Sequence, residues 1–207
     1  MRRMAGFSKD ENQRDAMGMA ALMRTLAHLR KPTVARVQGA AYGGGVGLVA
    51  CCDIAVASAN ATFCFSEAKL GLIPAVISPY SIAAIGERAA RRYFVTAERF
   101  PAAEAWRLGL VHEIVSSEGE LDEKVGEIVN ALLACGPVAQ REAKELIRAV
   151  ANKPVTSELI QDTAERIARM RASPEGREGV TSFLEKRRPS WIPPEPEQVP
   201  PPEPPGI

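Results

Sequence analysis

The sequence predicts an α/β fold in which short parallel strands are joined by helices. Residues 33–38 are β-branched and alternate in polarity, so we expect a strand there. Residues 46–52 are small and apolar on all sides, which predicts a short buried helix, and residues 53–57 predict the next strand. A strand, a glycine turn, a buried helix and a second strand follow each other in the order of a β-α-β crossover in a parallel sheet.

Helices are expected to dominate the rest of the chain. Ser8 and Glu11 have the spacing of a capping box, so a helix is predicted over residues 8–30, where Lys31-Pro32 ends it. A third strand is expected at 62–65, an irregular segment at 66–79, and a short strand after Gly109. The remaining apolar periodicity predicts helices at 82–90, in two short pieces within 91–108, and at 121–134, 138–151, 157–171 and 174–186.

The composition divides the chain into three parts. Residues 1–120 hold the predicted strands and form the α/β core, and residues 121–190 form a helical region. Residues 191–207 are rich in proline and cannot form a packed core, so we expect a disordered tail.

Charge and hydropathy exclude several functional classes. The formal net charge is +1, so no global field favours nucleic acid or an anionic membrane. No apolar stretch has the length of a membrane span, and the start lacks the apolar run of a signal peptide, so the cytoplasm is the expected compartment. The four cysteines lack metal-ligand spacing and are expected to be buried, reduced thiols. No metal site is predicted.

Three consecutive glycines, Gly43, Gly44 and Gly45, lie between a predicted strand and the buried helix. Glycine has a conformational cost there, which leaves three explanations: a phosphate cradle, an oxyanion hole made by backbone N–H groups, or close packing without chemistry. The sequence has neither the G-x-G-x-x-G spacing of dinucleotide-binding turns nor the lysine of a P-loop.

Four ordered blocks resemble the crotonase (enoyl-CoA hydratase/isomerase) superfamily. They are residues 37–55, 65–74, 102–111 and 175–187, and the resemblance spans about residues 8–191. It implies a crotonase fold with the ClpP-like ββα repeat, incomplete at the N-terminus, and a C-terminal helical trimerisation region. The expected assembly is therefore a homotrimer or hexamer, and the expected ligand is an acyl-CoA, with coenzyme A as part of the substrate and no other cofactor.

The resemblance also implies roles for individual residues. Gly44 matches the family glycine whose N–H binds the thioester oxygen, with Gly43 and Gly45 beside the substrate. Glu67 matches a family glutamate that acts as general acid/base, and a carboxylate flanked by apolar residues suits that work. A surface glutamate that caps a turn is the alternative for Glu67. Lys186 matches a basic position that the family uses for coenzyme A, although a solvated helix-end cluster would explain it equally well.

Gly47 stands where family hydratases carry their first catalytic glutamate. One carboxylate suits a double-bond isomerase, whereas hydration needs a further group to orient the water, and Tyr80 is a candidate. Gly47 is also expected to open space for a branched or carboxylated acyl chain. Residues 75–80 resemble bacterial 3-methylglutaconyl-CoA and isohexenylglutaconyl-CoA hydratases, which serve leucine and acyclic terpene degradation.

Three functions follow from the resemblance: a hydratase (lyase) for a 3-methylglutaconyl-like enoyl-CoA, an isomerase that uses Glu67 alone, and a non-catalytic crotonase homologue that serves as a binding or assembly subunit. The family segment that supplies the other oxyanion donor is expected before Met1. Loss of one donor lowers the rate roughly a hundredfold to a thousandfold in other enzymes, so we expect little hydratase activity from these 207 residues alone.

Overall fold

Six short strands and eight α-helices are found in residues 6–193, the part of the chain that this computed structural model describes. The strands are Val34–Val37 (β1), Ala40–Tyr42 (β2), Ile54–Ser58 (β3), Thr62–Cys64 (β4), Phe100–Pro101 (β5) and Glu113–Val115 (β6). The α-helices are Lys9–Ala27 (α1), Gly44–Cys51 (α2), Ser78–Thr96 (α3), Ala102–Arg107 (α4), Glu118–Leu133 (α5), Pro137–Val150 (α6), Ser157–Ala172 (α7) and Pro174–Leu184 (α8). A 3-10 helix, Ser66–Leu70, follows β4.

The chain folds into two compact units, of which the first ends at Leu132 and the second begins at Leu133. The first unit contains all six strands, and the second contains α6, α7 and α8. From residue 194 onward the predicted proline-rich tail lies outside the described residues, so its disorder stays a prediction.

The six strands form two small sheets. In the first sheet β3 lies between β1 and β6 and is parallel to both. In the second sheet β4 is parallel to β2 and antiparallel to β5. The predicted crossover is confirmed, because α2 lies in the connection between the parallel strands β1 and β3. Strands β1 to β4 therefore alternate between the two sheets, and this places β2 and β4 side by side in the second sheet.

An aromatic cluster fixes the position of β4. Phe63 and Phe65 are fully buried, and the Phe63 ring stacks on Phe100 of β5 with 5.7 Å between centroids. Tyr93 of α3 packs against the same Phe100 ring, with 4.4 Å between centroids. Burial of each large apolar side chain stabilises the fold by about 1.5–3 kcal/mol, so the end of β4 is held firmly.

Helix α1 begins at the predicted capping box. The Glu11 N–H donates to Ser8 Oγ at 3.3 Å, and the Ser8 N–H donates to Glu11 Oε2 at 2.7 Å. Met23, on the buried side of α1, is fully enclosed, and the Cys51 thiol of α2 donates to its sulfur at 3.7 Å. Burial raises the pKa of the Cys51 thiol to about 11.

Several sequence predictions about the fold are wrong. The segment 66–79 is not irregular throughout, because it contains the 3-10 helix and the start of α3. Helix α3 continues to Thr96 past Gly86, whose φ of +75° interrupts the helical geometry. The two-residue strand β5 then separates α3 from α4. In α2, Leu48 is exposed rather than buried, and Cys135 is exposed while Cys51 and Cys64 are buried as expected.

Candidate active site

The two parallel strands of the second sheet bring the glycine turn and Glu67 together. Tyr42, the last residue of β2, pairs with Cys64, the last residue of β4, so the segments that follow lie next to each other. The Gly43 N–H donates to the Cys64 carbonyl oxygen at 2.9 Å, which ties the turn to β4. The 3-10 helix that starts at Ser66 then carries Glu67 over the turn.

Gly43 has to be glycine for two reasons. Its φ of +50° and ψ of −120° are values that residues with a Cβ rarely adopt. A Cβ at this position would also lie 3.1 Å from Glu67 Oε1. The turn therefore lets a carboxylate approach the backbone more closely than any other residue would permit.

Gly44 begins α2, so its N–H has no acceptor within the helix and lies at the positive end of the helix dipole. The Gly43 carbonyl accepts from the N–H groups of Val46, at 3.0 Å, and Gly47, at 3.3 Å. At Gly44 a Cβ would lie 3.5 Å from Met19 Cε, whereas at Gly45 it would meet no heavy atom within 4 Å. Packing therefore does not require glycine at Gly45.

Glu67 has one buried carboxylate oxygen without a partner. Its Oε2 is inaccessible to solvent and makes no hydrogen bond within the described residues. An unsatisfied buried polar group costs about 1–3 kcal/mol, so its presence needs an explanation. A surface glutamate that caps a turn would show the opposite arrangement, with a solvated carboxylate or one bonded to the turn.

Gly44 and Glu67 line one open cavity of about 460 Å³. This volume is within the range of small-ligand sites, which is about 300–1,000 Å³. Helix α1 and the segment that leads to α3 form the rest of the wall, mostly with apolar side chains: Met19, Leu72, Ile73, Pro74, Val76 and Ile77. Asn12 and Asp15 of α1 add polar groups.

The expectation that Gly47 opens space for an acyl chain is wrong. A Cβ at Gly47 would lie 2.2 Å from Ile77 Cγ2 and 2.7 Å from Ile77 Cβ, with Met23 Cε at 3.3 Å. Gly47 and Ile77 are both buried, so the core already fills the volume that a side chain at position 47 would need. Ile77, rather than substrate, occupies the place of the missing side chain.

The structure does not bring Tyr80 to this cavity. Among the described residues, the walls come from other side chains, and Tyr80 packs against the hydrophobic core from α3. Lys186 belongs to the second unit, where it is exposed just after the end of α8 with a φ of +54°. Its contact with coenzyme A stays a prediction.

Sequence reasoning missed Asp15 and Ile77 as parts of the site. Asp15, Met19 and Met23 are spaced by four residues and therefore share one side of α1, which could have indicated that α1 covers the glycine turn. Nothing in the local sequence indicates the contact between Ile77 and Gly47, because thirty residues separate them.

Comparison with known proteins shows the family of the chain. A family model described as enoyl-CoA hydratase/isomerase matches residues 1–193. The chain belongs to the enoyl-CoA hydratase/isomerase family. It is 33% identical, over 175 residues, to a crotonyl-CoA hydratase of Syntrophomonas wolfei, and 33% identical, over 167 residues, to a carnitinyl-CoA dehydratase of Salmonella typhi. These matches cover 83% and 79% of the chain, respectively.

The crotonase fold expected for this family member is confirmed by solved structures. The crystal structure of an enoyl-CoA hydratase from Shewanella pealeana matches with a TM-score of 0.87 and 44% identity over 92% of the chain. The chain spans 71% of that protein, 65% of the crotonyl-CoA hydratase and 64% of the carnitinyl-CoA dehydratase. Within residues 6–193, no helix is long and apolar enough to cross a bilayer.

Proposed function

We propose that the protein is an acyl-CoA hydratase (lyase) that adds water to an enoyl-CoA. The observation that carries this proposal is that two groups line one cavity. They are Gly44, whose N–H has no acceptor within α2, and Glu67, whose buried Oε2 has no hydrogen-bond partner among the described residues. A fixed donor beside a carboxylate fits a thioester that becomes an enolate while a proton moves on the adjacent carbons.

In the proposed reaction, the thioester oxygen accepts a hydrogen bond from Gly44. The oxygen of a water molecule forms a bond to Cβ of the enoyl group, and the electron pair of the double bond moves toward the thioester to give an enolate. Glu67 takes one proton from the water and transfers it to Cα, so the product carries one added hydroxyl group and one added hydrogen. The dipole of α2 stabilises the negative charge on the enolate oxygen.

A 3-methylglutaconyl-like acyl group remains the finer substrate proposal, supported by the resemblance of residues 75–80. The charge of the cavity opposes it, because the described lining contains Asp15 and Glu67 but no lysine, arginine or histidine. A third carboxylate on the acyl chain would be repelled. Comparison of kcat/KM for crotonyl-CoA and 3-methylglutaconyl-CoA decides between a neutral and a carboxylated acyl group.

An enoyl-CoA isomerase is the second candidate, favoured by the contact between Ile77 and Gly47. Since Ile77 fills that space, no carboxylate can stand at position 47, and Glu67 alone could move a proton between two carbons. Isomerisation keeps the mass of the substrate, whereas hydration adds one water and removes the absorbance of the conjugated enoyl thioester.

The test is Glu67→Gln, with Glu87→Gln as the matched control. Glu87 is exposed on α3 and pairs only with Arg91 among the described residues, so its variant should match the wild type. We expect the wild type to form product from crotonyl-CoA slowly, and Glu67→Gln to lower that rate at least a further hundredfold, in line with the loss of a general acid/base. Product formation equal to that of the wild type would overturn the role of Glu67, and no hydrated product from either protein would overturn the hydratase proposal. A wild type that neither hydrates crotonyl-CoA nor isomerises an enoyl-CoA would leave a binding or assembly subunit.

We also propose a homotrimer or hexamer, supported by exposed apolar side chains on α8. Phe183 is 81% exposed and Leu184 is 73% exposed, and Val180 lies one helical turn earlier with 60% exposure. Such a group of apolar side chains is unusual on a monomer surface. Light scattering should give a trimer or hexamer mass for the wild type and a smaller mass for Phe183→Asp, whereas a monomeric wild type would contradict the proposal.

A further inference from the structure

Helix α1 carries a row of three side chains over the glycine turn and α2. Met23 is buried and places its Cε 3.3 Å from the Cβ position of Gly47. Met19, one turn earlier, places its Cε 3.5 Å from the Cβ position of Gly44. Asp15 is a further turn earlier, which is about 5–6 Å along the axis, and it lines the same cavity as Gly44 and Glu67. The row therefore ends with a carboxylate at the mouth of the site.

The carboxylate of Asp15 has no partner among residues 6–193, so it is available to the cavity. Within residues 6–193 it makes no ion pair and no side-chain hydrogen bond, whereas Asp122 and Asp162 each pair with an arginine. Apart from Glu67, it is the only carboxylate among the described residues that line the cavity. Asp15 is exposed, so water can reach it from solvent.

Hydration needs a group that the rest of the site does not provide. The water must be held at Cβ while Glu67 exchanges a proton with it, and one carboxylate cannot fix both hydrogens of the water. Ile77 excludes a carboxylate at position 47, and Tyr80 does not line the cavity. Among the described lining residues, Asp15 and Asn12 are the remaining polar side chains. The Asn12 Nδ2 group donates to the carbonyls of Phe7 and Ser8, and its neutral Oδ1 is a weaker acceptor for a water hydrogen than a carboxylate is.

We propose that Asp15 positions the attacking water, from the side of the cavity formed by α1. This inference rests on the proposed hydratase function. The ionised Asp15 carboxylate accepts a hydrogen bond from one hydrogen of the water and keeps its own charge throughout. Glu67 takes the other proton and passes it to Cα as the oxygen bonds to Cβ. A carboxylate acceptor on this side of the cavity orients the water for attack and needs no residue at position 47.

The experiment compares Asp15→Ala, Asp15→Glu and the control Asp10→Asn in two reactions of the full 207-residue chain. The first reaction is hydration of crotonyl-CoA, which needs the positioned water. The second is isomerisation of vinylacetyl-CoA to crotonyl-CoA, which needs only the proton transfer by Glu67. Asp10 lies in the first turn of α1, is exposed and does not line the cavity, so its variant should behave like the wild type.

For Asp15→Ala we expect kcat for hydration to fall by about tenfold to a hundredfold with KM unchanged, since the side chain aligns the water rather than the thioester. Isomerisation should stay within about twofold of the wild type, and Asp15→Glu should restore part of the hydration rate. Unchanged hydration in Asp15→Ala, or an equal loss in both reactions, would overturn the inference while leaving the Glu67 proposal intact. Absence of hydration by the wild type itself would overturn both.

Discussion

Substitution of Gly47 by alanine tests how tightly Ile77 fills the place of the missing side chain. The new Cβ would lie 2.2 Å from Ile77 Cγ2 and 2.7 Å from Ile77 Cβ. Overpacking of a buried site costs about 1–3 kcal/mol, and a contact of 2.2 Å puts this site in the upper part of that range, at about 2–3 kcal/mol. The greater helix propensity of alanine offsets about 1 kcal/mol of that cost. We therefore expect Gly47→Ala to lower the free energy of unfolding by about 1–2 kcal/mol, which lowers Tm by roughly 2–8 °C for a chain of this size.

Gly45→Ala is the matched control, because Gly45 lies in the same helix and a Cβ there meets nothing within 4 Å. We expect that variant to be neutral, or more stable by up to about 1 kcal/mol. Both are followed by circular dichroism during thermal and urea unfolding at one protein concentration, since any assembly would make Tm depend on concentration.

A double-mutant cycle with Ile77→Ala identifies the contact responsible. Ile77→Ala alone should cost about 2–5 kcal/mol, because the side chain is buried. The double variant should lose less stability than the sum of the two single losses, by about 1 kcal/mol or more. Ile77→Ala removes Cγ2, which lies 2.2 Å from the new Cβ of residue 47, and keeps the Ile77 Cβ at 2.7 Å. If Gly47→Ala is as stable as Gly45→Ala, the claim that Ile77 occupies this space is refuted.

Three other changes probe the turn, the first helix and a partly exposed ion pair. Gly43→Ala should lower the free energy of unfolding by about 1–3 kcal/mol, because φ is +50° and the new Cβ would lie 3.1 Å from Glu67 Oε1. Unaltered stability and turnover in this variant would contradict the claim that the turn requires glycine. Ser8→Ala should lower the free energy of unfolding by about 0.5–2 kcal/mol through loss of the capping box, whereas Ser8→Asn should keep most of it. Hydrogen bonds from Arg107 and Tyr93 lower the pKa of Glu104 from 4.5 to about 2. The ionised carboxylate therefore stabilises the fold at any pH above about 4.5, and this stabilisation is lost as the pH falls from about 4.5 to 2. Across that pH range, the urea midpoint of unfolding should fall less steeply for Glu104→Gln than for the wild type. If the midpoints of both proteins fall equally with pH, Glu104 does not contribute this pH-dependent stabilisation.

The parts of the fold that follow from local patterns were predictable. The capping box at Ser8 and Glu11 is set by residues three apart, and α2 and β3 are continuous short patterns of small or β-branched residues. The two-residue strand β5 is too short to have a periodicity. The sequence predicted a helix over 82–90 followed by separate short pieces, whereas α3 runs from Ser78 to Thr96 with a kink at Gly86.

For the site, the sequence predicted two residues that line the proposed active site, Gly44 and Glu67, but it did not predict which side chains fill the space around them. Gly44 and Glu67 meet at one cavity because β2 and β4 are parallel neighbours. The predicted crossover joined residues 33–38 to 53–57, and the sequence did not predict a strand at β2. The contact of Ile77 with Gly47 depends on tertiary packing between α2 and the segment before α3. The place of Asp15 depends on how α1 crosses the turn, which no local pattern specifies.

The most direct test of the central claim is the fate of isotopically labelled water. Crotonyl-CoA is incubated with the wild type and with Glu67→Gln in water enriched in oxygen-18, and the acyl-CoA products are analysed by mass spectrometry. We predict that the wild type forms a 3-hydroxyacyl-CoA with one labelled oxygen and that Glu67→Gln forms at least a hundredfold less. Equal labelling by both proteins, or no labelled product from the wild type, would contradict the assignment of Glu67 and Gly44 to the hydration of an enoyl-CoA.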